Sequence, residues 1–168
     1  TLVGGAPTSG SFSGGSGNDI LTGDGGNQTI NGNNGNDTIY AGGGTDTVNG
    51  NAADDTLYGQ AGNDNVSGAN GVDTLYGGSG NDTLTGGVDG DTIYGGSGDD
   101  IIDGSNGNDV IIGGYGADTL TGGGNNDTFR YLSILDTNDI ILDFTAVADQ
   151  IDVSAIDANP STGANDAF

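Results

Sequence analysis

Along most of this chain a single large apolar residue returns at every ninth position. Leu21, Ile30, Ile39, Val48, Leu57, Val66, Leu75, Leu84, Ile93, Ile102, Ile111, Leu120 and Phe129 keep one phase, and Phe12 and Val3 carry it upstream. Taken with its two neighbours, each reads as a short strand that sends its middle side chain inward and the flanking ones outward. Residues 14–130 divide into thirteen nonapeptides without an insertion, and two consecutive repeats make one full coil. Coils of that kind stack their strands in parallel at about 4.8 Å. The expected fold is all-β, a right-handed parallel β-roll (β-helix) with turns of six residues between three-residue strands.

The turns follow one formula, G-G-x-G-x-D-x-U-x with U apolar. Glycines at the first, second and fourth positions allow positive φ and let backbone carbonyls face inward without a Cβ clash. The fourth-position glycines Gly17, Gly35, Gly62, Gly71, Gly80, Gly98, Gly107 and Gly116 are therefore expected to help line an oxygen-rich cup. The sixth position supplies a carboxylate. On one side of the roll this places Asp19, Asp37, Asp55, Asp73, Asp91, Asp109 and Asp127, and on the other Asp46, Asp64, Asp82, Asp100 and Asp118, preceded by Gln28.

Calcium takes about six to eight oxygens at about 2.3–2.6 Å, more than one flat loop offers and close to what two stacked loops provide. Each Asp is expected to bridge the ions above and below it. Seven loops and six loops leave eleven gaps, so about 9–11 ions are expected.

Composition sharpens this reading. All 24 acidic residues are Asp, a single Arg is the only basic residue, and the net charge is −23. A merely solvated acidic face would accept Glu as readily, whereas Glu would overshoot a loop-edge site by one methylene. The charge disfavours nucleic acid and favours multivalent cations as partners. With neither Cys nor His, disulfides, zinc sites and imidazole chemistry are excluded, and no catalytic residues are expected. Nor does any apolar run reach the roughly 18 residues of a membrane span.

These repeats resemble those of RTX (hemolysin-type) proteins. The segments DTFRYL at 127–132, DIILDF at 139–144 and DQIDVSAI at 149–156 are similar to the closing segment of serralysin-type C-terminal domains. Accordingly, residues 1–13 read as degenerate lead-in turns, 14–130 as the roll and 131–168 as a truncated C-terminal cap. Asp136 keeps the nine-residue phase after Asp127 and is the expected terminal ligand; the serralysin resemblance adds Asp139 and Asp143 as lesser candidates. Arg130 is expected to neutralise the last turn beside Asp127 and Asp136.

The resemblance implies a structural module of a type I secreted, extracellular or cell-surface bacterial protein, monomeric and continuous with a longer chain. The alternatives are an adhesin or surface-layer module that uses an outward face to bind carbohydrate or a partner, or an accessory domain of a secreted protease, lipase or alginate epimerase. Tyr40, Tyr58, Tyr76 and Tyr94 recur at every second repeat and form one outward column. A stacked ladder covering the sheet is the preferred reading of that column over a ligand platform.

Overall fold

A computed structural model of the chain describes residues 9–136 and 138–156. Val3, with most of the lead-in, and the end of the expected cap lie outside them. The described residues are all-β, as the nine-residue phase predicts, and the strands fall into two parallel sheets.

One sheet joins β1 (Ser9–Ser16), β3 (Asn27–Asn34), β5 (Thr47–Ala52), β7 (Asn65–Asn70), β9 (Thr83–Val88), β11 (Ile101–Asn106), β13 (Thr119–Thr121) and β15 (Ile140–Ile141) in that order. The other joins β2 (Ile20–Thr22), β4 (Thr38–Gly43), β6 (Thr56–Ala61), β8 (Thr74–Ser79), β10 (Thr92–Ser97), β12 (Val110–Tyr115), β14 (Thr128–Arg130) and β16 (Gln150–Asp152). Odd and even strands alternate along the chain, so the backbone winds from one sheet to the other and back in each coil. The register between neighbouring strands is a constant two repeats throughout the roll, for example Leu57↔Leu75 and Tyr58↔Tyr76.

Between the sheets lies a core one residue deep. All thirteen eighth-position side chains are 0–1% exposed, and Phe12, Tyr131 and Ile141 pack against the ends of the column. Stacking identical positions satisfies strand amides and buries a side chain from each repeat with no sequence-distant packing.

Most strands are longer than the sequence suggests. They run from the seventh position of one repeat to the third of the next. The turn proper is only the fourth to sixth positions. In the register of paired strands the first position is skipped, as where Tyr94↔Ile112 is followed by Gly96↔Gly114. That residue faces inward at a corner where the chain bends toward the turn. Strands exceed the three-residue expectation because second- and third-position residues keep pairing across coils despite the positive φ at the second.

The tyrosine column forms as expected. Tyr40, Tyr58, Tyr76 and Tyr94 stack with ring centroids 4.7–4.8 Å apart and planes within 4–7°. Ile112 continues the column and is only 4% exposed, because residues 132–136 cross the sheet there.

Beyond the repeats, two more strands extend the sheets before the stack ends. β15 pairs with β13 through Thr119↔Ile140, and β16 pairs with β14 through Thr128↔Gln150, each offset longer than two repeats. The offset grows because the segments before β15 and before β16 lack the compact glycine turn.

Candidate metal centre

Each sixth-position Asp sits at the mouth of a turn, immediately before a strand, and its two carboxylate oxygens have different fates. Oδ1 accepts a hydrogen bond from the backbone N–H of the sixth residue one coil earlier. The donors Asp19, Asp37, Asp55, Asp73, Asp91 and Asp109 reach the next Asp at 2.7–3.0 Å. On the other side Gln28, Asp46, Asp64, Asp82 and Asp100 do so at 2.7–2.8 Å. Oδ2 of every Asp from Asp37 to Asp127 in the two columns is buried and has no hydrogen-bond partner. Apart from Asp46, whose repeat begins with Ala41, those oxygens point toward the first-position glycine of the same repeat.

That glycine explains the shape of the site. A methyl group on Gly77 would lie 2.5 Å from Asp82 Oδ2 and 2.6 Å from the Gly95 carbonyl oxygen; on Gly95 it would lie 2.5 Å from both Asp100 Oδ2 and the Gly113 carbonyl. First-position glycines are not at positive φ, contrary to the sequence expectation; they are required because a side chain would fill the space where carboxylate and carbonyl oxygens converge. Positive φ belongs to the second and fourth positions, including all eight fourth-position glycines named above, at 91–150°. Asp89 and Asn125 stand at fourth positions and adopt φ 77° and 84°, so they imitate the glycine turn and add no separate chemistry.

This arrangement fits a hard divalent cation. A buried carboxylate oxygen without a donor is costly, about 1–3 kcal/mol even for an uncharged group, and here it recurs at eleven sixth positions from Asp37 onward. Its neighbours are carbonyl oxygens, the donor class calcium prefers. Because Oδ1 is engaged with the backbone, only Oδ2 is available, so each carboxylate offers one oxygen to an ion rather than bridging two.

Burial pushes Asp55, Asp91 and Asp100 up to about 7, and Asp73, Asp82 and Asp109 up to about 6, from an ordinary 3.8. The accepted N–H opposes the rise and nearby carboxylates add to it.

The ends of the columns depart from the sequence reading. Gln28 closes on itself: its Nε2 donates to Asp24 Oδ1 at 2.6 Å, and the Asp24 N–H reaches its Oε1 at 3.4 Å. The next repeat of that column begins with Ala41 where other repeats have glycine, so two defects meet at the start of the second column. Both agree with a capping turn.

At the other end, Asp136 does not carry the ladder onward. Asp139 accepts the Asp118 N–H at 3.0 Å and Asp149 accepts the Asp127 N–H at 3.1 Å, so these two occupy the next rungs. Asp136 instead lies beside Asp118 and Asp139, 8% exposed. Asp143 binds the Gly122 and Gly123 amides. Arg130 pairs with Asp152 at 2.8 Å, not with Asp127 or Asp136, because β16 brings Asp152 alongside it. Spacing alone misses Asp149, whose distance along the chain from Asp127 fits neither one repeat nor two; the accompanying D-x-I-D pattern is its only signal.

The model of the RTX calcium-binding nonapeptide repeat matches residues 13–48, 40–75, 67–102, 76–111 and 103–131. The chain belongs to the RTX family of calcium-binding repeats. No curated protein matches its sequence. Within this RTX chain the matched segments coincide with the two Asp columns and stop where the two-repeat register ends.

Two outcomes test this site. In the metal-free chain the fold favours protonated Asp, whereas the unfolded chain titrates near 3.8. Stability should therefore rise as pH falls from about 7 toward about 4 and level off below; circular dichroism in a chelator across that range should show strand signal growing with acid, and a flat or falling signal would contradict the burial. Gly77→Ala should raise the calcium concentration needed for folding, while Gly25→Ala, where a methyl meets nothing within 4 Å, should leave it unchanged.

Proposed function

We propose that the chain is a calcium-dependent folding module: Asp Oδ2 atoms and first-position glycine carbonyls of successive coils hold a ladder of Ca²⁺, and the metal makes the roll stable. The observation that carries this is the repeated orphan oxygen facing a space that only glycine leaves open. Carboxylates stacked about 5 Å apart repel by about 3 kcal/mol per neighbouring pair at an effective dielectric near 20. Cations between them reverse that sign. Bound metal would supply fixed positive charge, while the chain supplies the turn geometry, the one-residue-deep core and the capped ends.

Ions would occupy the gaps expected from the repeats, with Asp139 and Asp149 adding one rung to each column and Gln28 leaving the first gap of the second column weak. RTX repeats are typical of secreted proteins. A type I secreted bacterial parent fits, because low cytosolic calcium would delay folding until the chain meets millimolar calcium outside. No catalytic role is assigned to the roll.

An outward carbohydrate platform is less well supported. The tyrosine rings lie face to face at 4.7–4.8 Å, so each covers its neighbour's π-face and presents only edges and hydroxyls to solvent. Sugar recognition by stacking needs an open face.

In a chelator at neutral pH the chain should give a coil-like circular dichroism spectrum, and calcium should restore strand signal cooperatively. Magnesium should not, since it demands octahedral geometry and keeps its waters. Full strand content in chelator at neutral pH would overturn the proposal.

Position along the ladder gives a finer test. Asp73→Ala removes a mid-column Oδ2 and strips the Asp55 N–H of its acceptor, whereas Asp19 is the first rung. Nearest-neighbour coupling in a one-dimensional stack spreads central damage both ways. The calcium midpoint should rise more, and the transition broaden more, for Asp73→Ala than for Asp19→Ala; equal midpoints would mean the sites act independently.

A further inference from the structure

The tyrosine column belongs neither to the core nor to the carboxylate ladders. Tyr40, Tyr58, Tyr76 and Tyr94 stand at directly paired positions of β4, β6, β8 and β10, half-buried, with their hydroxyl edges toward solvent. Successive ring centroids are 4.8, 4.7 and 4.7 Å apart and the planes lie within 7° of parallel. Composition gives this stack a chemical meaning. The chain has no Cys, Met, Trp or His, so tyrosine is its readily oxidised side chain, and four of the six tyrosines stand in the column.

We propose that the column is an oxidative cross-linking site, at which a one-electron oxidant such as a peroxidase with hydrogen peroxide joins neighbouring rings carbon to carbon and staples successive coils. Each of two neighbouring phenols gives up one electron and its hydroxyl proton. The two phenoxyl radicals then form a bond between ring carbons ortho to oxygen, and the hydrogens on those carbons move to the oxygens, which restores both hydroxyls. Hydrogen peroxide takes the two electrons and two protons and leaves as two waters.

The geometry favours this outcome over coupling between molecules. Rings joined by a single carbon–carbon bond have centroids only slightly closer than those in the column, and the torsion that turns a tyrosine ring about its Cβ is broad. The strand register keeps each ring beside its partner for as long as the roll is folded. Tyr115 and Tyr131 lie outside the column, Tyr115 at a third position opposite Ser97 and Tyr131 packed against the core.

The consequence of the link rests on the calcium reading of the repeats. Each bond closes a loop between residues 18 apart in sequence. Such a closure restricts the unfolded chain far more than the folded one, as a disulfide does. It also holds two coils in register before any ion binds, so a linked roll should fold at lower calcium.

Peroxidase and hydrogen peroxide added to a dilute solution of the calcium-loaded full chain test this. Dityrosine emission should appear in a product that remains monomeric on a denaturing gel, and peptide mass spectrometry should find links between tyrosines 18 residues apart. The double variant Tyr58→Phe/Tyr76→Phe keeps every ring of the stack but no two neighbouring phenols. Its calcium-induced strand signal should match wild type, while its intrachain emission falls several-fold. Linked wild-type chain should show a lower calcium midpoint than unlinked chain.

Emission from the double variant equal to wild type, or a folded wild-type chain without links at that spacing, overturns the site. So does equal linking in a chain that chelator has unfolded. An unchanged calcium midpoint after linking overturns the staple. Strand signal that persists in chelator, with column links forming in both states, upholds the cross-linking site and sinks the calcium reading instead.

Discussion

A carboxylate oxygen that is buried and unmatched by any donor, repeated along both columns of turns, sets the terms for the rest of the roll. It explains the choice of Asp, whose short stem lets Oδ1 reach the amide one coil back while Oδ2 stays over the first-position glycine. A longer side chain would separate those two tasks. It also explains the glycines more fully than backbone freedom does. At the second and fourth positions glycine serves φ, as at Gly78 with φ 118°, yet Gln60 takes the equivalent place at 78°. At the first position the demand is for empty volume, and among the thirteen repeats only Ala41 departs from it.

Two opposed columns run through each turn. The sixth-position carboxylate reaches backward to the preceding coil's N–H, while fifth-position side chains reach forward: Asn18 accepts from the Asn36 N–H, and Asn63 from the Asn81 N–H, both at 3.0 Å. The inner column is shielded from water and the outer one exposed. Together they fix the coil spacing at a turn that has no strand pairing of its own, and this sets the spacing of the oxygens inside. Ion binding and strand register are thereby one constraint seen from two sides.

Phase alone made the architecture legible. Thirteen unbroken repeats dictate which residue faces inward, which coils are neighbours and which Asp residues share a side, and the two-repeat register bears out each of these. What the phase could not carry was anything that breaks it. Asp136 keeps the nine-residue spacing and by that measure is the next rung, but after Arg130 the chain lacks the glycines that make a turn of three residues. The path to β15 lengthens, and Asp139 arrives where Asp136 was expected. For Arg130, likewise, nearness in sequence points to Asp127 and Asp136, when the partner set by the sheet is Asp152.

The two ends of the second column answer the same problem in opposite ways. A ladder of like charges needs something at each end that does not demand another cation beyond it. At the start, Gln28 offers a neutral oxygen and locks its amide to Asp24, so the column begins without adding a sixth-position charge. At the finish, charge is concentrated: carboxylate oxygens of Asp118, Asp136 and Asp139 come within 4.8 Å of one another, and burial beside the Asp139 carboxylate raises Asp136 above the ordinary carboxylate range. A neutral start tolerates an open, extendable roll, since β1 and β3 can pair along their whole length there. A highly charged finish does not, because carboxylates that close repel one another, and the strands at that end are short, two residues in β15 and three in β13. The asymmetry gives the stack a direction, neutral where the second column begins and crowded with carboxylates where the regular repeat has run out.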